Sequence, residues 1–229
     1  MSARDPSDEP RSADRARGWS GIVFAVLYLA GMVPMGDLLG SFGDPDATFV
    51  SFFEVDGNRI GTLVAGLVLG LAGVSFLWFL SHLRLTTTSG GPLPGIVATT
   101  GTTFVALHFV GAASLITVPY ARTFGGAYGD KGILAANDAL LPQLGYVLIT
   151  VFAMWVVAAM IIAVTLSWRR SGTVPRWLVR VGFAAATFVF LLGWSVGGTI
   201  GLPVWVLCVA VHSLRQARHT TTDAVSGWG

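Results

Sequence analysis

The stretch "IGTLVAGLVLGLAGVSFLWFL", residues 60–80, runs for 21 residues without a charged side chain. As an α-helix it would be about 30 Å long, at about 1.5 Å per residue, which matches the hydrocarbon thickness of a bilayer. Backbone groups in hydrocarbon have no water to bond. A helix satisfies them within one segment, whereas strands do so only in a closed barrel. The period-two alternation of a barrel strand is absent, so the segment predicts a membrane-spanning helix.

Other stretches of similar apolar character flank it. Trp19–Leu39, Gly95–Pro119, Leu140–Trp168 and Trp177–Trp194 are long enough or nearly so, and Ile200–Leu214 adds a shorter sixth. Of the 229 residues, 53% are hydrophobic and 11% charged, against roughly 25% charged in soluble domains. The expected fold is therefore all-α, a polytopic membrane bundle of six transmembrane helices. It would occupy residues 18–215, with spans near 19–39, 60–80, 95–119, 140–168, 177–194 and 200–214. Residues 1–17 are polar and mixed in charge and read as a disordered cytoplasmic tail, with a second tail over 216–229. The apolar run of the first span is too long for a cleavable signal peptide, and no small-residue cleavage site follows it.

Charge sets an orientation. Arg4, Arg11, Arg15, Arg17, Arg84, Arg169, Arg170, Arg176, Arg180, Arg215 and Arg218 fall on one side of a six-span arrangement. Only Arg59, Arg122 and Lys131 fall on the other. Eleven cations against three predict that both termini are cytoplasmic. The outer side then holds seven of the twelve carboxylates and is net −4, and the inner side is net +6. Thirteen arginines against one lysine fit a GC-rich bacterial genome, and hence a bacterial plasma membrane.

The composition excludes several chemistries. Cys208 is the sole cysteine, so neither an intrachain disulfide nor a thiolate metal cluster can form. No zincin, nucleophile-elbow, Walker or dinucleotide motif occurs in a usable context. No cofactor, metal or nucleic acid is expected. The bilayer is the expected surrounding, with a membrane-protein partner or a second copy of the chain as possible company.

Carboxylates concentrate after the first span: Asp44, Asp46, Glu54 and Asp56, with Asp37 just before them. An EF-hand register from Asp44 fails, because position six is Phe49 and position twelve is Val55. Asp44-Pro-Asp46-Ala-Thr48 imitates a D-x-D-x-T phosphatase signature, but a membrane span precedes it instead of a buried strand. The segment is better read as a short interfacial helix over residues 45–55. Asp44 would cap it, Phe49, Phe52 and Phe53 would share its apolar face, and Gly57 would end it.

Ionisable groups at membrane depth are functional candidates by default. His108, midway along the third span, shares a helical face with Gly101, Phe104, Gly111, Ala112 and Leu115. Such small residues predict a close helix contact, so His108 should point into the bundle. It is either a hydrogen-bonding bridge between helices or part of a proton relay. Thr99, Thr100, Thr102 and Thr103 lie toward the cytoplasmic side and would either line a path or bond back to their own helix. Asp37 and Arg59, at the outer boundary of the first hairpin, complete the candidate ligand-binding or relay set and are placed to pair. His82 and His212 fall at inner ends of spans and read as interfacial. Gly66-x-x-x-Gly70 and Gly197-x-x-x-Gly201 predict close packing inside the bundle.

Gly18-Trp19, Gly57-Asn58-Arg59, "VPRWLVRVG" (174–182) and "LPVWVL" (202–207) together resemble a family of uncharacterised six-span membrane proteins of actinobacteria and related bacteria. The resemblance implies the six-span layout and carries no activity. Three functions follow as expectations: an accessory or interaction protein of the membrane, a small secondary transporter whose pathway includes His108, and an enzyme acting on a lipid.

Overall fold

A computed structural model describes residues 8–34, 51–87, 91–124 and 135–226. Nearly all of these residues are helical, and no strand occurs among them. Helix α1 spans Asp8–Met32, α2 Asp56–Thr86 and α3 Leu93–Phe124. Helix α4, Ala135–Val147, continues through one π-helical turn, Leu148–Phe152, into α5, Ala153–Ser171. Helix α6 spans Arg176–Leu192, the single turn α7 Val196–Thr199, and α8 Gly201–Ser226.

Four helices are long and apolar enough to cross a bilayer: Asp56–Thr86, Leu93–Phe124, Ala139–Ser171 and Gly197–Ala217. The expected first and fifth spans are shorter. The apolar part of α1 is Gly18–Met32, and α6 has 17 residues, which is about 25 Å of helix against a hydrocarbon core of about 30 Å. Helix α1 begins at Asp8 and α8 runs on to Ser226. Once a helix is nucleated, each added residue gains a backbone bond for one fixed pair of dihedrals, so it propagates past its apolar part.

The helices close into a ring in chain order. α1 packs on α2, α2 on α3, α3 on α4 and α5, α5 on α6, α6 on α8, and α8 returns to α1. Contacts at the ends set their directions. At one end, His82 of α2 meets Ser213 of α8, Gly18 of α1 lies against Leu214, and Trp177 of α6 lies against His212. At the other end, the Tyr146 hydroxyl of α4 donates to the Trp194 carbonyl just beyond α6, at 2.9 Å. Neighbouring rods thus alternate in direction. The first end gathers Arg84, Arg169, Arg170, Arg176, Arg180 and Arg215, and the second has Arg59 and Arg122.

Lipid tails are as apolar as leucine, so helices associate in a bilayer through shape and dispersion rather than through escape from water. An aromatic column supplies that shape here. Phe24, Tyr28, Phe76, Phe79, Phe104, Trp168 and Trp205 are all buried. Phe76 centres it, its ring 4.9 Å from Phe24 and 4.8 Å from Phe104. Glycines supply the closest approach. A Cβ on Gly145 of α4 would lie 2.6 Å from the Gly111 carbonyl oxygen of α3 and 2.9 Å from the Leu115 nitrogen, so only bare backbone fits. Gly172 ends α5 with φ +67°, and its N–H bonds to the Trp168 carbonyl, a left-handed cap that reverses the chain into α6.

Candidate functional site

His108 lies on the buried face of α3 together with Gly101, Phe104, Gly111, Ala112 and Leu115. Its side chain is fully buried, and its Nε2 lies 2.9 Å from the Leu69 carbonyl oxygen of α2. A carbonyl only accepts, so Nε2 carries the proton and donates, which leaves Nδ1 as the bare acceptor of a neutral ring. That Nδ1 is buried and finds no hydrogen-bond partner among the described residues. Aromatic rings form the walls. Tyr28 of α1 stacks at 5.6 Å and 26°, and Phe104 at 5.7 Å and 24°. Gly73 of α2 borders the imidazole edge, where a Cβ would meet its Cδ2 in ordinary contact at 3.4 Å. Three helices therefore hold the ring: α3 carries it, α2 accepts its proton, and α1 covers its face.

The threonines before it bond backwards. Thr100 donates to the Ile96 carbonyl at 2.6 Å and Thr102 to the Ala98 carbonyl at 2.8 Å, which satisfies each hydroxyl on its own helix. Thr99 and Thr103 are exposed on the outside of the bundle. None of these four residues lies on the buried face that carries His108.

The structure separates Arg59 from His108. Arg59 stands in the first turn of α2, four turns from the Gly73 that borders the imidazole. Its Nη2 donates to Asp56 Oδ1 at 2.6 Å, an i,i+3 pair in which Asp56 is 78% exposed. Asp37, the partner expected for it, lies outside the described residues. So do Asp44, Asp46 and Phe49 of the predicted interfacial helix. Of that helix only the turn 51–54 is described, where Phe53 is buried and Phe52 meets it edge-on at 5.3 Å. The predicted stop at Gly57 is corrected. The chain breaks at Val55, which is extended at φ −77° and ψ 116°, and Gly57 lies inside α2. Asn58 explains the shift by reaching back to the Phe52 carbonyl at 3.2 Å, which ties the turn to the new helix.

His82 and His212 sit at the arginine-rich end. His82 Nε2 lies 2.9 Å from Ser213 Oγ, joining the C-terminal end of α2 to the middle of α8, while His212 faces the Trp177 ring at 6.2 Å and 89°. Among the described residues no group of three or more His, Cys, Asp or Glu is placed to hold a metal ion. Sequence reasoning missed Tyr28 and the Leu69 carbonyl. Tyr28 had a signal: Gly21, Phe24, Tyr28 and Gly31 recur at helical spacing and form the inward face of α1. Leu69 had none, since any backbone carbonyl can accept. No family model matches the chain, and neither a curated protein nor a solved structure matches it.

Proposed function

We propose that this chain is a six-span protein of a bacterial plasma membrane, both termini cytoplasmic, acting as an accessory or interaction protein within the bilayer. The observation that carries the reading is the setting of His108. Its one hydrogen bond among the described residues goes to a backbone carbonyl, and two aromatic rings, Tyr28 and Phe104, stack against it. A relay passes a proton from one titratable neighbour to the next, whereas this ring ties α3 to α2 and holds both against Tyr28. Six spans are supported by the closed ring of alternating rods, in which α1 and α6 occupy full places despite their shorter apolar length. The orientation is supported by Arg84, Arg169, Arg170, Arg176, Arg180 and Arg215 at one end against Arg59 and Arg122 at the other, among the residues whose side chains are described. The likeness to uncharacterised six-span proteins agrees with this layout.

The rival reading, a small secondary transporter, draws on one feature, the unpartnered Nδ1 of His108. Purified protein in liposomes, under an imposed pH gradient and read with a proton-sensitive dye, separates the two. A structural bridge gives wild type and His108→Gln the same low proton leak and the same stability. Flux in wild type that His108→Gln abolishes would replace the accessory reading with the transporter. Cysteine labelling tests the orientation: residues 3, 172 and 222 should be protected from an impermeant reagent outside the cell, and residue 128 should react.

A further inference from the structure

We propose that the face of α6 running from Arg176 to Leu192 binds one anionic phospholipid of the leaflet at the arginine-rich end. The guanidinium groups would hold its phosphate and the groove above them one acyl chain. The residues follow a single helical line. Arg176 and Arg180 are one turn apart, and Ala184, Thr187 and Leu191 continue the same face. Both arginines are exposed, and neither forms an ion pair with a described residue. Directly beyond them Phe183, Ala184, Thr187, Phe188, Leu191 and Leu192 line a shallow, open groove along the surface of this one helix. From Arg180 to Leu192 the helix rises about 18 Å, close to the roughly 15 Å depth of one leaflet. Trp177, half exposed beside the arginines, has the position of an interfacial ring and so marks the headgroup level.

Charge chooses the occupant. An apolar groove alone would take any acyl chain, but two guanidiniums at its mouth that pair with no described residue favour a net negative headgroup, and a planar fork matches phosphate oxygens with two parallel bonds. The packing leaves room for such a lipid. α6 buries only Leu178, Gly182, Ala186 and Val189 against the bundle, so most of its surface faces outward. A headgroup that bonds both arginines while its chain fills the groove would fasten this helix to the ring.

The assignment rests on α6 facing the bilayer, and the test reports that separately. The full chain, purified in neutral detergent, is titrated with dioleoyl phosphatidylglycerol, dioleoyl phosphatidylcholine or soluble glycerol phosphate, and followed by thermal unfolding and native mass spectrometry. One retained phosphatidylglycerol and a higher Tm are expected, with weaker retention of phosphatidylcholine and no effect of glycerol phosphate. The double variant Arg176→Gln/Arg180→Gln should bind phosphatidylglycerol about 25-fold more weakly, each cation contributing about fivefold. Ala184→Trp, which fills the groove and leaves the arginines in place, should weaken both lipids, and Arg84→Gln should change neither. Equal retention of the two lipids overturns the proposal, as does wild-type behaviour of the double or the groove variant. Stabilisation by glycerol phosphate alone would reduce the feature to an anion site and overturn it too. A spin label at Phe190→Cys, in a Cys208→Ser background, should respond to membrane-dissolved oxygen. A water-exposed label would remove α6 from the bilayer and with it the six-span reading. A lipid-exposed label without lipid selectivity would remove only the lipid site.

Discussion

The α1–α2–α3 side of the ring and the α6 side are built differently. On the first side, α2 buries residues on each turn from Thr62 to Leu83, and Phe24, Tyr28, Phe76, Phe104 and His108 interlock across three helices. On the second, α6 buries Leu178, Gly182, Ala186 and Val189, with Val179, Val181 and Ala185 half-buried beside them, and turns Phe190 and Leu191 outward, as Trp194 is just beyond it. In water this contrast would mean that α6 is misplaced, since exposed aromatics there are costly. In a bilayer they lose nothing, and what distinguishes the two sides is shape. The first side is held by protein against protein, whereas the second leaves much of its apolar surface facing outward.

Removing a large ring is the strongest way to break the comparison. Phe76→Ala would open a cavity among Phe24, Phe79 and Phe104. Transfer of the ring to lipid is no loss, so only the cavity part of the cost remains, about 2–3 kcal/mol for a volume on the order of 100 Å³. Phe188→Ala on the outward face of α6 should stay within about 0.5 kcal/mol. Unfolding in mixed micelles by titrated dodecyl sulfate would measure both. Equal losses would mean that the two sides are not built differently.

A glycine pair gives the next largest effect. Gly145→Ala would drive a methyl group into the Gly111 carbonyl and the Leu115 nitrogen, backbone atoms that cannot rotate away. α3 and α4 would have to separate, at about 1–3 kcal/mol. Gly61→Ala in α2 is the control. It meets nothing within 4 Å and should stabilise the helix by about 0.5–1 kcal/mol, because alanine has less backbone freedom to lose. Opposite signs at the two glycines are expected in the same unfolding assay. Destabilisation at both would show that helix propensity, and not contact, governs them.

His108 tests the tight side more gently. His108→Gln can still donate to the Leu69 carbonyl, and His108→Leu cannot. Leu69 keeps its own intrahelical bond in either case, so the difference should be about 0.6 kcal/mol, the average for such bonds between membrane helices. A Leu variant as stable as the Gln variant would show that ring packing against Tyr28 and Phe104, and not the hydrogen bond, holds this position.

These residues also show what was legible in the sequence. The helical class was, because 21 uncharged residues have few other ways to satisfy their backbone in hydrocarbon. The buried face of α3 was too: Gly101, Gly111 and Ala112 leave room for a neighbour, and His108 shares their side. The neighbour's identity was not. Which turn of α2 faces which turn of α3 depends on how side chains such as Ile116 and Phe109 fit Gly66 and Gly73, and the Leu69 carbonyl has no sequence signature at all. The π-helical turn at Leu148–Phe152 was equally hidden, since its one extra residue per turn leaves no mark in hydropathy. Gly57 misled because glycine often ends helices, yet Asn58 joins the preceding turn to α2 and moves the break to Val55.

The smallest effect belongs to the surface pair at the start of α2, where the chain is neither lipid-packed nor aromatic. Arg59 and Asp56 touch at 2.6 Å, but the aspartate is 78% exposed, so water and salt screen most of their attraction. Asp56 also stands in the first helical turn, where the N–H groups that lack carbonyl partners favour a negative charge. Asp56→Asn removes both interactions and keeps the shape. The expected loss is about 0.5 kcal/mol, shrinking further at high salt. Arg59→Gln removes the pair and leaves the dipole interaction, so it should lose less than Asp56→Asn. If Arg59→Gln were instead the more damaging, the guanidinium, 22% exposed with its Nε buried and unpartnered, would have to be doing more than meeting Asp56. The pairing expected with Asp37 would then be the first contact to test, by a double-mutant cycle between residues 37 and 59 in which a coupling energy near zero would dismiss it.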